Sequence, residues 1–187
     1  VQALASAALE LSRGEMVQQA AAHDLELTEA AYLSRCRGKT ASLFAVSCRL
    51  GAMVGGAGRD TEERLAVFGE HVGMAFQIFD DILDLTGSPA ATGKRRGTDL
   101  REGTVTLPVI LALQHEPGLA SQITALSDDG DVDALCDRLA THPGLVEARE
   151  RALAFVATAR EAVDTSLDGV ASGALLEIAD GVVDRYS

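Results

Sequence analysis

The residues with the clearest capacity for chemistry are four polar side chains within the segment Phe76–Leu85. Gln77, Asp80, Asp81 and Asp84 follow i, i+3, i+4 and i+7 spacing, which places them in one stripe on a helix. Carboxylates this close together repel one another and are costly to desolvate unless a cation neutralises them. Hard oxygen ligands suit Mg²⁺, which is commonly shared between one or two carboxylates, water and substrate phosphates. The spacing therefore predicts a magnesium site on this helix.

An exposed face of an ordinary amphipathic helix is the alternative for this stripe, because runs of charge usually lie in solvent. Apolar residues occupy both flanks of the aspartates: Val72, Ala75, Phe76, Phe79 and Leu83 on one face, and Ile78, Ile82 and Leu85 on another. These apolar flanks favour a site at which a bound cation neutralises the carboxylates.

A second polar element is the pair Lys39 and Thr40, which precedes a long run of small and apolar residues. If that run is a buried helix, the backbone N–H groups at its start, the Lys39 ammonium and the Thr40 hydroxyl could all meet a phosphate. The segment is similar to the end of a P-loop, but Leu33 stands where the first glycine belongs and no strand precedes it. A nucleotide site is therefore rejected, and an ordinary surface lysine is the remaining alternative.

A third basic element lies just beyond the aspartates, where Lys94, Arg95 and Arg96 are enclosed by two glycines. Three positive charges on a flexible loop in an acidic chain predict a lid that closes over a diphosphate. An exposed loop that only increases solubility is the alternative.

The elements that must position these residues are all helical. Hydrophobic residues make up 47% of the chain and aromatic residues only 4%, which favours closely packed helices over a sheet. We predict an all-α domain over residues 1–187 with these elements: helices Val1–Leu11 and Glu15–Ala22 separated by a break at Ser12–Gly14, a helix Glu29–Arg37 capped by Thr28, a buried helix Lys39–Ala57, a central helix Asp60–Thr86, a loop Gly87–Gly103, a helix Thr106–Leu113 with Pro108 in its first turn, a turn Asp128–Asp131, and helices Asp131–Thr141, Gly144–Leu167 and Ala171–Tyr186.

The overall charge and composition restrict the possible partners. A net charge of −12 argues against nucleic acid, because the chain repels phosphate backbones at a distance. No apolar run reaches the roughly 20 residues of a membrane span, and the three cysteines show no paired spacing. We therefore expect a soluble, cytoplasmic protein with reduced thiols. The chain opens without Met inside a helical pattern, so we also expect an upstream portion.

Several segments together resemble the trans-isoprenyl diphosphate synthases of the polyprenyl synthetase family. The segment Phe76–Asp84 resembles the second aspartate-rich motif of that family, and Gly38–Thr40 resembles its Lys-Thr element. Four more segments are similar in order and spacing: Gly93–Leu100, Gly14–Met16, Leu50–Ala52 and Thr106–Pro108. The resemblance spans roughly Gly14 to Leu113, and it is specific because the segments occur in combination.

The resemblance implies a fold and a metal site. Members are α-helical bundles in which two aspartate-rich helices face each other across a cavity and bind three Mg²⁺ ions with the allylic diphosphate. It implies that Asp80 is the principal ligand of one Mg²⁺, and that Asp81 and Asp84 act through coordinated water. It further implies a homodimer.

The resemblance also implies the substrates and their contacts. An allylic diphosphate ionises to a carbocation, isopentenyl diphosphate attacks it, and proton loss gives a longer trans-polyprenyl diphosphate. Lys39, Lys94 and Arg95 would contact the allylic diphosphate. Thr40 and Gln77 would line the reacting end and help to direct the departing proton.

Two departures from the family pattern limit what the resemblance implies. The first aspartate-rich motif is absent, so residues 1–187 alone are expected to be inactive unless the missing part is supplied. Thr104 stands where many members have a further lysine. A noncatalytic subunit of a heteromeric prenyl synthase, a terpene cyclase of the same fold and a helical interaction module remain as alternatives.

Overall fold

The computed structural model describes residues 1–87, 95–126, 131–163 and 169–184, and within these ranges every regular element is a helix. In chain order they are α1 (Gln2–Ala20), α2 (Glu29–Cys36), a π-helical turn (Arg37–Ala41), α3 (Ser42–Val54), α4 (Arg59–Thr86), α5 (Thr98–Arg101), α6 (Leu107–His115), α7 (Leu119–Thr124), α8 (Val132–Ala140), α9 (Pro143–Val163) and α10 (Gly169–Asp184). The prediction of an all-α fold is confirmed.

Helix α4 is the central element of the bundle, and its bounds differ from the predicted ones by a single residue at the start. It packs most extensively against α9 on one side and α3 on the other. The apolar flanks of the aspartate stripe are buried, since Ile78, Phe79 and Leu85 are each no more than 1% exposed. Burial of both flanks fixes the rotation of α4 about its axis, and this rotation determines where the carboxylates lie.

The predicted helix start at Lys39 is wrong. Helix α2, the π-helical turn and α3 follow one another without a break, so the backbone amides around Lys39 lie inside a continuous helical segment. They cannot form the anion site that a free helix N-terminus would provide. A π-helical turn widens a helix locally, and such turns are frequent at functional sites.

The prediction that Lys39–Ala57 is buried is only partly correct. Val46 and Ala52 are buried, whereas Met53 and Val54 are 50% and 89% exposed. One face of α3 packs on α4, and the opposite face borders an open groove of about 1190 Å³ between α1, α3 and α4. The small and apolar composition of α3 therefore does not indicate that the helix is fully buried.

The predicted break at Ser12–Gly14 is also wrong, because α1 continues without interruption through this segment. Gly14 is buried where α1 crosses the π-helical turn, and a Cβ atom placed on it would lie 2.6 Å from the Lys39 backbone nitrogen. The glycine is present because two backbones approach closely there.

We predict that Gly14→Ala destabilises the protein by about 1–3 kcal/mol, because the added methyl group must push α1 away from the π-helical turn. Gly51→Ala is the matched control, since a Cβ atom at Gly51 in α3 meets nothing within 4 Å. We expect that change to be neutral or to stabilise by up to about 1 kcal/mol. Urea unfolding measures both, and equal effects of the two substitutions would contradict the packing role of Gly14.

The remaining elements largely follow the sequence prediction. Thr28 caps α2 by accepting a hydrogen bond from the Ala31 amide at 3.2 Å, and Asp131 caps α8. Pro108 lies in the first turn of α6, as predicted. Helices α5 and α7 were not predicted, and α5 lies within the predicted loop Gly87–Gly103. The predicted turn Asp128–Asp131 lies outside the described residues except for Asp131. Among the described helices, none has the length and apolar composition needed to cross a membrane.

Candidate metal and diphosphate site

Four of the predicted site residues, Lys39, Gln77, Asp80 and Asp81, line a polar cavity of about 210 Å³ between α1, α2, the π-helical turn and α4. Its wall also includes Asp99. A second, smaller pocket of about 110 Å³ lies beside it, and Asp80 and Asp99 border both. Asp80 therefore stands at the boundary between the two cavities.

Asp81 is the buried member of the aspartate stripe, with 4% of its surface exposed. Its Oδ2 accepts a hydrogen bond from the Tyr32 hydroxyl at 2.6 Å, and its Oδ1 accepts one from Gln77 Nε2 at 2.9 Å. The Thr40 hydroxyl donates to Gln77 Oε1 at 2.7 Å. Thr40, Gln77, Asp81 and Tyr32 thus form one chain of hydrogen bonds that joins α2, the π-helical turn and α4.

Burial raises the pKa of Asp81 from 3.8 to about 6, although the hydrogen bonds from Tyr32 and Gln77 oppose that rise. Two donors directed at one carboxylate favour its ionised form. The arrangement therefore fixes the orientation of a carboxylate that a nearby cation would hold fully ionised.

Asp80 and Asp84 have different surroundings, although they share the stripe. Asp80 is exposed, and it accepts no hydrogen bond from the residues that the structure describes. Asp84 accepts hydrogen bonds from the backbone amides of Thr98 and Asp99, each at 3.1 Å, at the start of the short helix α5. Asp84 therefore holds the loop after α4 in place, whereas Asp80 is available to a ligand.

Asp99 is a fourth carboxylate of the cluster, and the sequence reasoning assigned it no role. Burial, followed by the charges of Asp81, Asp84 and Asp80 in that order, raises its pKa from 3.8 to about 7. Its only signal in the sequence was its place in the segment Gly93–Leu100 that resembles the family. The mutual repulsion of these carboxylates marks a position that favours a cation.

Lys39 lines the polar cavity together with the carboxylates of the cluster. Its Nζ lies 3.1 Å from Glu15 Oε1 and 3.2 Å from Gln18 Oε1, and 28% of its side chain is exposed. Both partners are on α1, which crosses the π-helical turn at Gly14. This crossing places the ammonium at the mouth of the cavity, where it can exchange these partners for a phosphate oxygen.

The basic loop after α4 contains residues with different roles. Arg95 is exposed and borders the smaller pocket with Asp80 and Asp84, and its contact with a diphosphate stays a prediction. Arg96 Nε donates to the Leu85 carbonyl at 2.5 Å, and its Nη1 donates to Asp137 at 2.6 Å. Arg96 therefore fastens the loop to the end of α4 and to α8. Lys94, the other predicted contact, lies outside the described residues.

We predict that Arg96→Met lowers the free energy of unfolding by about 1–2 kcal/mol, because the Leu85 carbonyl loses its donor and Asp137 its partner. Arg95→Met is the comparison, since Arg95 is exposed and its loss should leave stability within about 0.5 kcal/mol. Chemical denaturation of both variants checks this. The assignment of Arg96 to loop attachment would be wrong if the two changes had the same effect on stability.

The carboxylate cluster fits a hard divalent cation in its chemistry. Within the described residues, no three carboxylate, imidazole or thiol groups are arranged so that they could hold one metal ion. Mg²⁺ nevertheless keeps several waters and is often bound through one or two carboxylates with substrate phosphates. The cluster therefore suits a cation that Asp80 and the neighbouring carboxylates share with a phosphorylated ligand.

Comparison with known proteins places this geometry in a family. The structure matches the heptaprenyl diphosphate synthase of Staphylococcus aureus with a TM-score of 0.93 and 27% identity, over 100% of this chain and 59% of that one. It also matches a polyprenyl synthase from Caulobacter crescentus, solved with calcium and isoprenyl diphosphate, with a TM-score of 0.92 and 31% identity over 100% and 58%. The fold is therefore the all-α isoprenoid synthase fold.

The sequence comparisons agree. The family model described as polyprenyl synthetase matches residues 1–138, and the chain belongs to that family. A relative from Geobacillus stearothermophilus, heptaprenyl diphosphate synthase component 2, is 46% identical over 70% of this chain and 41% of its own length. A (2E,6E)-farnesyl diphosphate synthase from Mycobacterium tuberculosis is 33% identical over 100% and 55%. The chain thus spans about half the length of these relatives.

Proposed function

We propose that the whole protein is a prenyltransferase that condenses an allylic diphosphate with isopentenyl diphosphate to give a longer trans-polyprenyl diphosphate. The observation that carries the proposal is the cavity in which the Lys39 ammonium faces Asp80, Asp81 and Asp99. Carboxylates and cations around one cavity suit a ligand that is itself a metal-bound diphosphate. The family membership and the names of the relatives support the same function.

Mg²⁺ is the proposed cofactor, and Asp80 is its principal ligand in this part of the protein. Asp81 and Asp84 would act through coordinated water, because Asp81 is buried and Asp84 accepts two backbone amides. When bound, the cation supplies stabilisation for the charge that develops on the leaving diphosphate. The first aspartate-rich motif, from outside residues 1–187, would complete the metal site.

The residues of this chain would divide the remaining tasks. Lys39 would bind the allylic diphosphate together with Lys94 and Arg95, and these charges favour departure of the diphosphate. Thr40 and Gln77 would line the reacting end, where their mutual hydrogen bond fixes their orientation. The apolar walls of the bundle would shelter the allylic cation from water.

A two-component synthase is the second candidate, because two relatives at 46% and 41% identity are each a heptaprenyl diphosphate synthase component 2. In that case the chain would belong to a subunit that acts with a different partner rather than to the expected homodimer. The presence of all four carboxylates of the cluster favours a catalytic role over a regulatory one. A terpene cyclase would use the same site without isopentenyl diphosphate.

The test is an assay of the whole protein with Mg²⁺ and an allylic diphosphate, with and without labelled isopentenyl diphosphate. Incorporation of the label into a longer prenyl diphosphate is the expected result. Turnover of the allylic diphosphate without the second substrate would indicate a cyclase. Calorimetry with a bisphosphonate and Mg²⁺ gives an independent readout, and absence of any binding would refute the enzyme in favour of a helical interaction module.

A further inference from the structure

Arg35 is a buried cation in the wall of the polar cavity that the proposed mechanism does not use. Only 5% of its surface is exposed, and its Nη2 donates to the Val105 carbonyl at 2.7 Å. The centre of its guanidinium lies 5.3 Å from the centroid of the Tyr32 ring. Its Nη1 is buried without a hydrogen-bond partner, and no other side-chain nitrogen or oxygen of the described residues shares that condition.

The charge of Arg35 is not neutralised by a direct ion pair. No carboxylate in the described ranges forms a salt bridge with its guanidinium, whereas Lys39 pairs with Glu15. The Arg35 charge acts on the buried Asp81 carboxylate and lowers its pKa, but the two groups form no direct ion pair. A buried guanidinium without a direct ion pair is costly, and an unsatisfied buried donor adds to that cost. An unsatisfied buried donor requires an explanation, and an anionic ligand that its charge attracts is one such explanation.

Negative and positive side chains therefore line the same cavity. The carboxylates of Asp80 and Asp99 attract a metal cation, and the guanidinium of Arg35 in the same wall attracts an anion. Because only 5% of its surface is exposed, Arg35 offers little surface to a ligand. Most of its effect on a ligand would pass through the low-dielectric interior as a fixed positive potential.

We propose that Arg35 is a buried counter-charge that strengthens the binding of a diphosphate group in the cavity that Arg35 lines. The inference rests on the proposed function, since it assumes that a diphosphate occupies this cavity. It predicts effects of opposite sign on the two kinds of ligand. Removing the charge weakens the binding of the anion, and it leaves the binding of the metal cation alone unchanged or tighter.

Calorimetry on the whole protein tests the proposal with two probes, Mg²⁺ alone and inorganic diphosphate in the presence of Mg²⁺. Arg35→Met should weaken diphosphate binding about tenfold while Mg²⁺ alone binds at least as tightly as before. Arg35→Gln is a second neutral variant whose amide can still donate to the Val105 carbonyl. Arg35→Lys restores the charge and should recover most of the diphosphate affinity.

Arg37→Met is the matched control, because Arg37 lies two residues further along, is paired with Glu70 at 2.6 Å and borders the open groove instead of the polar cavity. It should leave both affinities unchanged. Equal loss of Mg²⁺ and diphosphate binding in both neutral variants would reduce Arg35 to a structural residue and overturn the inference. Unchanged diphosphate binding, or failure of Arg35→Lys to restore it, would overturn it as well.

The unaltered protein separates this inference from the proposed function. If the unaltered protein binds diphosphate with Mg²⁺ and the neutral Arg35 variants bind it equally well, only the role of Arg35 is refuted. If the unaltered protein binds no diphosphate at any Mg²⁺ concentration, the proposed function fails, and the inference fails with it.

Discussion

Asp80→Asn should reduce prenyl transfer and Mg²⁺-dependent diphosphate binding by about 100-fold or more. Asp80 is exposed at the boundary of the two cavities and accepts no hydrogen bond from the described part of the chain. The substitution therefore removes the charge that would bind the cation and leaves the packing of α4 unchanged. A metal ligand contributes several kcal/mol of stabilisation to the charge on a leaving diphosphate, which is the basis of the expected magnitude.

Asp60→Asn is the matched control for Asp80→Asn. Asp60 lies in the first turn of the same helix and is also exposed, but it is far along α4 from the cavity. Steady-state kinetics should show no more than about a twofold change for Asp60→Asn. Normal Mg²⁺-dependent diphosphate binding by Asp80→Asn would refute the role of Asp80 as the principal metal ligand.

The helices could be predicted from the sequence where one face is apolar at helical spacing. The bounds of α4 follow from its long amphipathic pattern, and those of α8 follow from the Asp131 cap. The errors arise where close backbone approach replaces side-chain patterning. Gly14 looked like a break because a lone glycine weakens a helix, but the contact that explains it is with Lys39, 25 positions further along the chain.

The composition of the site could be predicted more completely than its geometry. The stripe spacing identified Gln77, Asp80, Asp81 and Asp84, but it could not distinguish their surroundings, because burial depends on the other helices. Tyr32 and the amides of α5 come from outside α4, and they separate the three aspartates into a buried, an exposed and a loop-holding residue.

Asp99 and Arg35 could not be assigned from local pattern at all. Asp99 lies beyond the helix that carries the stripe, and it joins the cluster because the Asp84 carboxylate binds the amides at the start of α5. Arg35 reads in sequence as an ordinary basic residue near the end of α2. Only the packing of α2 against the segment around Val105 buries it beside the site.

The second large effect is expected for Asp81→Asn, which should stabilise the metal-free protein while it removes Mg²⁺-dependent diphosphate binding. An asparagine fits the site, because its oxygen can accept from Gln77 Nε2 and its amide can face the Tyr32 hydroxyl. Burial raises the pKa of Asp81 from 3.8 to about 6. The folded protein therefore holds this proton more tightly than the unfolded chain, and its stability falls as the pH rises through that interval.

The stabilisation should therefore depend on pH in a defined direction. At pH 8 the Asp81 carboxylate is charged and buried, so Asp81→Asn should raise the unfolding temperature of the metal-free protein by roughly 5 °C. Below the ordinary pKa of 3.8 the carboxyl is neutral in both the folded and unfolded states, and the advantage should disappear. Thermal unfolding in a chelator at several pH values measures the difference between the two proteins.

With Mg²⁺ and diphosphate bound at pH 8, the unaltered protein should become more stable than Asp81→Asn. A ligand that binds only the folded state stabilises it more when its affinity is higher. The unaltered protein gains this stabilisation, and Asp81→Asn does not. A variant less stable than the unaltered protein in the chelator at pH 8 would contradict the cost assigned to the buried carboxylate. A variant stabilised equally by Mg²⁺ and diphosphate would contradict the functional use of that charge, since a buried carboxylate that a cation does not need would only destabilise the fold.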